Sequence, residues 1–281
     1  MNLLLLGSND RAGLSIARSL NKHQYLIHNI FLDKKTSLNY SNSVYRNTFI
    51  GNPYHHYPTF KKRLFDYVKE NNIEIIFPLN DIAIDILFEC NNHFDNVVKL
   101  IIPNEKAYRI ARNKIATIKL AEQLKIPIPK YEIVESFIFK NVSFPIYLKP
   151  KSSTLIKDQT CYSFGVKKLN NKNEIINELR EIIQISPVML QEKISGYGIG
   201  VNVFCKNGKV LIYTVNKRIH EPINGGGSSY RKTIHPDEQI RQYVQLLADA
   251  MELNGAMMFE FKVTKTGYVL MEINPRLWGS L

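Results

Sequence analysis

The apolar residues change rhythm around Pro103-Asn104, and that change constrains the fold more than any other feature of the chain. Before it, short apolar runs alternate with helical stretches. Asn2–Leu6 is followed by a helix with Ala12, Ile16 and Leu20 in phase, then by a second strand over residues 25–32. Helices over residues 58–70 and Asp81–Cys90 flank a strand at Ile73–Pro78, and residues 99–102 close the series. Strands alternating with helices predict a parallel sheet covered on both faces. After the change, a helix over residues 105–124, interrupted near Asn113, is stopped by Pro127 and Pro129. Apolar and aromatic strands follow at Tyr131–Val134 and over residues 144–149, 161–169, 188–194, 200–205, 210–217, 256–264 and 268–274. Two amphipathic helices interrupt them, one over residues 172–185 and one from Pro236 that puts Ile240, Val244, Leu247 and Met251 on one face. The expectation is an α/β domain followed by an α+β domain.

A chain of 281 residues suits about two domains and needs no staple to fold. Cys90, Cys161 and Cys205 lie far apart without metal-ligand spacing, which points to a reducing, cytoplasmic setting. The first residues lack the basic start of a signal peptide, and no apolar run is long enough to span a bilayer. The formal charge of +12 would favour polyanions. It is spread over an Asn-, Ile- and Lys-rich chain with no dense basic block, so neither a nucleic acid nor a membrane is expected as partner.

The most informative stretch is Phe259-Glu260-Phe261-Lys262 followed by Met271-Glu272-Ile273-Asn274-Pro275-Arg276. A three-residue hairpin loop at Lys265-Thr266-Gly267, with Thr264 facing Tyr268, places Glu260 opposite Glu272 and keeps Asn274 on their face. Like charges directly opposed need a cation between them. Two carboxylates and a carboxamide, completed by phosphate oxygens, suit Mg²⁺. The plainer alternative is a surface acid pair neutralised by Lys262 and Arg276.

Two further strands end in chemistry-bearing groups. Phe144-Pro145-Ile146-Tyr147-Leu148-Lys149-Pro150 terminates in a lysine able to hold a point charge over a polyphosphate, and the polar residues 151–160 after it read as a flexible lid. Met189-Leu190-Gln191-Glu192-Lys193-Ile194 breaks at Ser195-Gly196, leaving backbone groups for the edge of an adenine ring. His55-His56 lies in a proline-bounded loop and reads as a surface pair, and Ser8, Ser152 and Ser153 have no readable His/Asp partners.

Together these motifs resemble the ATP-grasp superfamily, in particular its carbamoyl-phosphate-synthase-like carboxylate–amine ligases, along nearly the whole chain and in the same order. The resemblance implies a Rossmann-like pre-ATP-grasp domain over residues 1–104, a lid subdomain over 105–188 and a C-terminal ATP-grasp subdomain over 189–281. It implies ATP and Mg²⁺ as cofactors, with a small-molecule carboxylate and an amine as substrates. Asn113-Lys114 is similar to the family's Asp-Lys pair, so Lys114 and Lys149 would contact phosphate. Gln191, Glu192, Lys193 and Ile194 would clasp adenine, and Glu260, Glu272 and Asn274 would bind metal. Arg276 would stabilise the transferred phosphoryl group, while Arg218, with the Gly225-Gly226-Gly227-Ser228-Ser229 loop, would face substrate.

Three departures qualify the resemblance. Glycines are missing after Lys149, no carboxylate follows Glu192 by seven or eight residues to hold ribose, and the sequence stops at Trp278-Gly279-Ser280-Leu281 where relatives continue. The ending reads as a truncation, a naturally short form or an incomplete sequence, and a truncation would leave an exposed apolar edge prone to self-association. The alternatives are a module that binds ATP without ligation and a nicotinamide-dependent oxidoreductase built on the first β-α-β unit and Asp33. Against the latter, Gly7 and Gly13 do not make G-x-G-x-x-G.

Overall fold

The computed structural model describes residues 1–7, 10–94, 98–140, 142–220 and 230–279. They form two compact units, one of Met1–Pro103, Thr154–Tyr162 and Arg276–Leu281, the other of Asn104–Ser153 and Ser163–Pro275.

The first unit is built on β1 (Asn2–Leu6), β2 (Leu26–Ile30), β3 (Arg46–Thr48), β4 (Ile73–Pro78) and β5 (Lys99–Leu100), with α1 (Asp10–Asn21), α2 (Tyr57–Glu70) and α3 (Asp81–Cys90). All neighbouring strands are parallel, in the order β3-β2-β1-β4-β5. The leucine run of β1 explains the two-sided cover. Leu3 and Leu5 pack with Ile16 and Ala17 of α1, while Leu4 and Leu6 pack with Phe60 and Leu64 of α2 and Ile82 and Ile86 of α3. Gly13 serves this packing, because a Cβ there would stand 2.8 Å from Leu38 and 2.9 Å from Leu79. It is a helix-contact glycine, not part of a pyrophosphate turn.

The second unit begins with α4 (Glu105–Arg112) and α5 (Lys114–Gln123), then β6 (Tyr131–Val134) and β7 (Ile146–Pro150). Next in the chain, β8 (Thr154–Lys157) and β9 (Thr160–Ser163) pair in a hairpin of which residues 154–162 group with the first unit. The second unit resumes with β10 (Lys167–Leu169), α6 (Lys172–Ile182) and β11 (Val188–Glu192), giving an antiparallel sheet β10-β7-β11-β6. Leu148, Leu169, Val188 and Leu190 turn one face of it toward Ile175, Leu179 and Ile182 of α6. Met189 turns the other way, against Ile115 and Ile118 of α5.

The second sheet of this unit is antiparallel, in the order β14-β13-β12-β15-β16, from β12 (Tyr197–Lys206), β13 (Lys209–His220), β14 (Tyr230–Ile234), β15 (Gly255–Thr264) and β16 (Gly267–Asn274). Ile199, Val201, Val203, Val215, Phe259 and Phe261 pack one face against Ile240, Val244 and Leu247 of α7 (Glu238–Ala250). Burying a side chain of this kind stabilises by about 1.5–3 kcal/mol. Because strand side chains alternate, the same strands turn Gly200, Asn202, Asn216, Arg218 and Glu260 to the opposite face.

The structure corrects two readings. Residues 161–169 are not one strand, since β9 pairs with β8 and β10 pairs with β7. The stretch after Lys149 is not a free lid. Asp158 and Gln159 take positive φ of 50° and 60°, the two-residue geometry of a tight hairpin, without the glycine that usually announces one. Thr154 Oγ1 donates to the buried Asp85 carboxylate at 2.7 Å, and Ile156 and Cys161 join the core of the first unit. The short, polar β3 and β14 are additions to the expected strands.

Candidate functional site

Glu260 and Glu272 are cross-strand partners on β15 and β16. They reach that register by an unexpected route. Thr264 faces Gly267, leaving only Lys265 and Thr266 as the loop, so Phe261 faces Leu270. A bulge between Glu260 and Phe261 then takes up Met271 and restores the acid pair. Asn274 Nδ2 lies 3.4 Å from Glu260 Oε1 and 3.3 Å from Glu272 Oε1. The three oxygen-bearing side chains therefore converge as their spacing suggested.

Cations close around them. Arg218 of β13 forms a hydrogen-bonded ion pair with Glu260, both side chains being largely buried. Lys114 Nζ lies 3.9 Å from Glu272 Oε2 and donates to Ser153 Oγ at 3.1 Å. The break in the helical stretch positions this lysine. Asn113 ends α4 and caps α5, its Oδ1 accepting from the backbone of Ile115 at 3.1 Å and of Ala116 at 3.2 Å, which sets Lys114 on the first turn.

Lys149, only 6% exposed, pairs in register with Met189 and donates from Nζ to the carbonyl of Met271 at 3.3 Å. The residue that the bulge leaves without a register partner thus receives the lysine. Burial pushes the Lys149 pKa below its ordinary 10.5; Glu272 opposes that shift, Lys114 adds to it and Glu260 opposes it.

Farther along the same sheet face, Gln191 is fully buried and both of its amide atoms lack a protein partner. Glu192 Oε1 accepts from the Lys130 backbone at 2.7 Å, and its own N–H donates to the Lys130 carbonyl at 3.0 Å. Lys193 and Ile194 lie beyond the end of β11, outside the sheet. The chain then turns at Gly196, with φ of +147°, where a Cβ would stand 2.1 Å from the Val263 carbonyl oxygen. Only glycine fits there.

Lys114, Lys149, Arg218, Glu260, Glu272 and Asn274 therefore come together within the second unit, with Gln191 on the Lys149 face. Arg276 groups with the first unit, where Nε donates to Asp81 Oδ1 at 2.9 Å and Nη1 to the Leu277 carbonyl at 3.3 Å. Residues 225–229 lie outside the described residues. Among the described residues no group of three His, Cys, Asp or Glu side chains is placed to hold a metal, and no helix is long and apolar enough to cross a membrane. Sequence reasoning missed Ser153 beside Lys114 and Asp81 beside Arg276.

Residues 184–281 match a family model described as ATP-grasp in the biosynthetic pathway with Ter operon. The fold agrees: an L-amino acid ligase from Bacillus licheniformis superposes with a TM-score of 0.73, covering 100% of this chain and 68% of the other at 14% identity. The family match thus covers the last third or so of the chain, and the likeness in fold extends over all of it. D-alanine–D-alanine ligase from Bacillus anthracis, complexed with ATP, shares the fold with a TM-score of 0.63 over 98% of this chain and 85% of that one, at 16% identity. The carbamoyl phosphate synthase large chain of Thermoanaerobacter sp. (strain X514) is 22% identical over 197 residues, 64% of this chain. The chain spans 18% of that relative's length.

Proposed function

We propose that this chain is the ATP-binding part of a ligase that phosphorylates a carboxylate and passes the acyl-phosphate to an amine. The observation that carries the reading is the convergence of Glu260, Glu272 and Asn274 with Lys114, Lys149 and Arg218 on one site. In this reading residues 1–104 are the Rossmann-like pre-ATP-grasp domain, 105–188 apart from the β8–β9 hairpin are the lid subdomain and 189–281 are the C-terminal ATP-grasp subdomain. The free, buried Cys90, Cys161 and Cys205 suit the cytoplasm.

The donor set fits Mg²⁺, which takes one or two protein carboxylates and keeps phosphate oxygens and water for the rest of its shell. Bound Mg²⁺ supplies charge neutralisation on the phosphates. The chain's own residues do the rest. Glu260 and Glu272 would hold the cation, and Asn274 would add its amide oxygen. Lys149, already stripped of water, interacts with phosphate more strongly than a solvated lysine would, and Lys114 adds a second point charge. The backbone leaving β11 at Gln191–Ile194 takes the adenine edge, and the buried Gln191 amide offers it a further donor and acceptor. Arg218, paired here with Glu260, would face the substrate carboxylate, and Arg276 would offset charge on the transferred phosphoryl group. A carboxylate oxygen is a poor leaving group until it is phosphorylated. Positioning and charge neutralisation suffice for that transfer, and no protein nucleophile is required.

Calorimetric titration of ATP with and without Mg²⁺, followed by positional oxygen exchange in labelled ATP with candidate acids, tests the reading. Failure of the folded protein to bind ATP in the presence of Mg²⁺ overturns it.

A further inference from the structure

The segment from Lys149 to Thr154 is stitched down nearly residue by residue. Beyond the bond from Lys149 to the Met271 carbonyl, the N–H of Lys151 donates to the Pro187 carbonyl at 3.2 Å, and the Lys151 carbonyl accepts from the N–H of Lys114 at 2.8 Å. The buried Ser152 hydroxyl donates to the Arg112 carbonyl at 2.8 Å, and the Ser153 hydroxyl accepts from Lys114 Nζ at 3.1 Å. The Ser153 carbonyl accepts from the N–H of Phe164 at 2.8 Å, which closes the stem of the β8–β9 hairpin. Thr154 then donates to Asp85, and here the chain passes from the second unit to the first. Each of these hydrogen bonds lies inside one unit. Only the peptide bond between Ser153 and Thr154 joins the two sets.

The backbone of Lys114 needs nothing from Ser153, since the Asn113 cap starts α5 and the Lys151 carbonyl takes the Lys114 N–H. The head of its side chain does. A lysine carries a compact charge on a flexible stem, and pinning that stem costs conformational freedom. Ser153 holds the ammonium with a neutral acceptor, while Glu272 Oε2, at 3.9 Å, stays beyond hydrogen-bonding reach. The carboxylate is thereby left for a cation. If Ser153 shifts, the ammonium falls onto Glu272, where it is lost to phosphate and occupies a metal ligand at once.

We propose that Asp85 is a positioning residue for Lys114, acting through Thr154 and Ser153. The inference rests on the ATP-binding reading and adds to it a residue that works only through others. A hydroxyl held by a buried carboxylate at 2.7 Å is a stiff anchor. It fixes Thr154; the peptide bond and the Phe164 contact fix Ser153 in turn, and Ser153 fixes the ammonium.

The test is a double-mutant cycle on MgATP affinity, read by calorimetry on the whole chain at a temperature where melting curves show each variant folded. Asp85→Ala and Thr154→Val each weaken binding by about threefold or more, and Thr154→Ser, which keeps the donor, binds as the parent does. In a Ser153→Ala or a Lys114→Met background the same two substitutions change affinity by less than about twofold, because the route is already cut. The Mg²⁺ concentration needed for half-maximal binding rises in Asp85→Ala, but not when Asp85→Ala is added to Lys114→Met. A purely structural Asp85 would weaken binding equally in every background; that result, or parent-like affinity in Thr154→Val, overturns the proposal. Should Asp85→Ala not fold, Thr154→Val and Thr154→Ser complete the cycle. A folded parent that binds no MgATP overturns the ligase reading beneath the proposal, and the proposal with it.

Discussion

Glu260 and Glu272 oppose each other only because Met271 is an extra residue on β16, and the carbonyl of that same residue receives the Lys149 ammonium. One bulge therefore brings two acids together and ties the strand-end lysine of the neighbouring sheet to them. Bulges recur where a strand must re-aim its side chains at a site. The acid pair is balanced by Arg218 and Lys114, so a divalent cation entering between the carboxylates competes with these two ion pairs.

That competition has a measurable sign. Glu272→Gln removes one negative ligand and weakens the Mg²⁺-dependent part of ATP binding by about tenfold or more, the loss expected for one charged contact. Without Mg²⁺ the same variant binds ATP at least as well as the parent, because a carboxylate facing the phosphates is gone. Titration calorimetry under both conditions separates the two effects. Equal weakening in both conditions excludes Glu272 as a metal ligand.

Lys149 gives a pH-dependent prediction. Its folded pKa lies below the unfolded value of 10.5, mainly through burial. In the window between the two values the unfolded chain binds more protons at this site, so the stability of the parent rises with pH there. Below the folded value the full cost of the buried charge is present. Lys149→Met removes that cost and is expected to raise the melting temperature at neutral pH while losing most ATP affinity. The stability advantage of the variant shrinks as the pH climbs towards 10.5. Parallel melting curves of the two proteins at several pH values, with a constant gap between them, contradict this account.

How legible these features were depends on the range over which their physics acts. The leucines of β1, the interruption at Asn113 and the acids twelve positions apart follow from local period, capping and hairpin pairing, and all three are visible along the chain. The bulge at Met271 carries no Gly or Pro to mark it, and compensating shifts of one residue, at the loop and at the bulge, left the acid register right for a different reason. The β8–β9 hairpin turns on Asp158-Gln159, residues that rarely announce such a turn. The partners Arg218–Glu260 and Asp81–Arg276 are separated by 42 and 195 positions, and nothing local connects them.

The Thr154–Asp85 contact predicts how firmly the segment after Lys149 is held. A buried hydrogen bond to a carboxylate contributes about 1.5–3 kcal/mol, and Thr154→Val removes the donor while keeping the side-chain shape. The variant is expected to melt at lower temperature and to be cut faster within residues 154–162 by a nonspecific protease. Asp85→Asn, which still accepts a hydrogen bond, falls between the two. Unchanged cleavage of Thr154→Val means that Ile156 and Cys161 anchor the hairpin by apolar packing alone.

Asp81 is expected to act on catalysis through Arg276. The guanidinium is fixed at Nε by Asp81 and at Nη1 by its neighbour's carbonyl, which holds its plane while other donors stay available. The side chains of the pair are 25% and 20% exposed, so its contribution to stability is small, about 1 kcal/mol or less. If Arg276 offsets charge that develops only during phosphoryl transfer, loosening it lowers kcat and leaves the KM for ATP nearly unchanged. Asp81→Ala should therefore reduce acid-dependent turnover by about tenfold with little change in melting temperature, and Asp81→Asn, which keeps the acceptor, should recover part of the loss. Arg276→Lys should resemble Asp81→Ala more than Asp81→Asn, because an ammonium cannot reproduce the Nε contact and face phosphate with a second nitrogen. Steady-state kinetics on the three variants decide the matter. A full kcat in Asp81→Ala, or a loss confined to KM, shows that the pair only closes the end of the chain onto its unit.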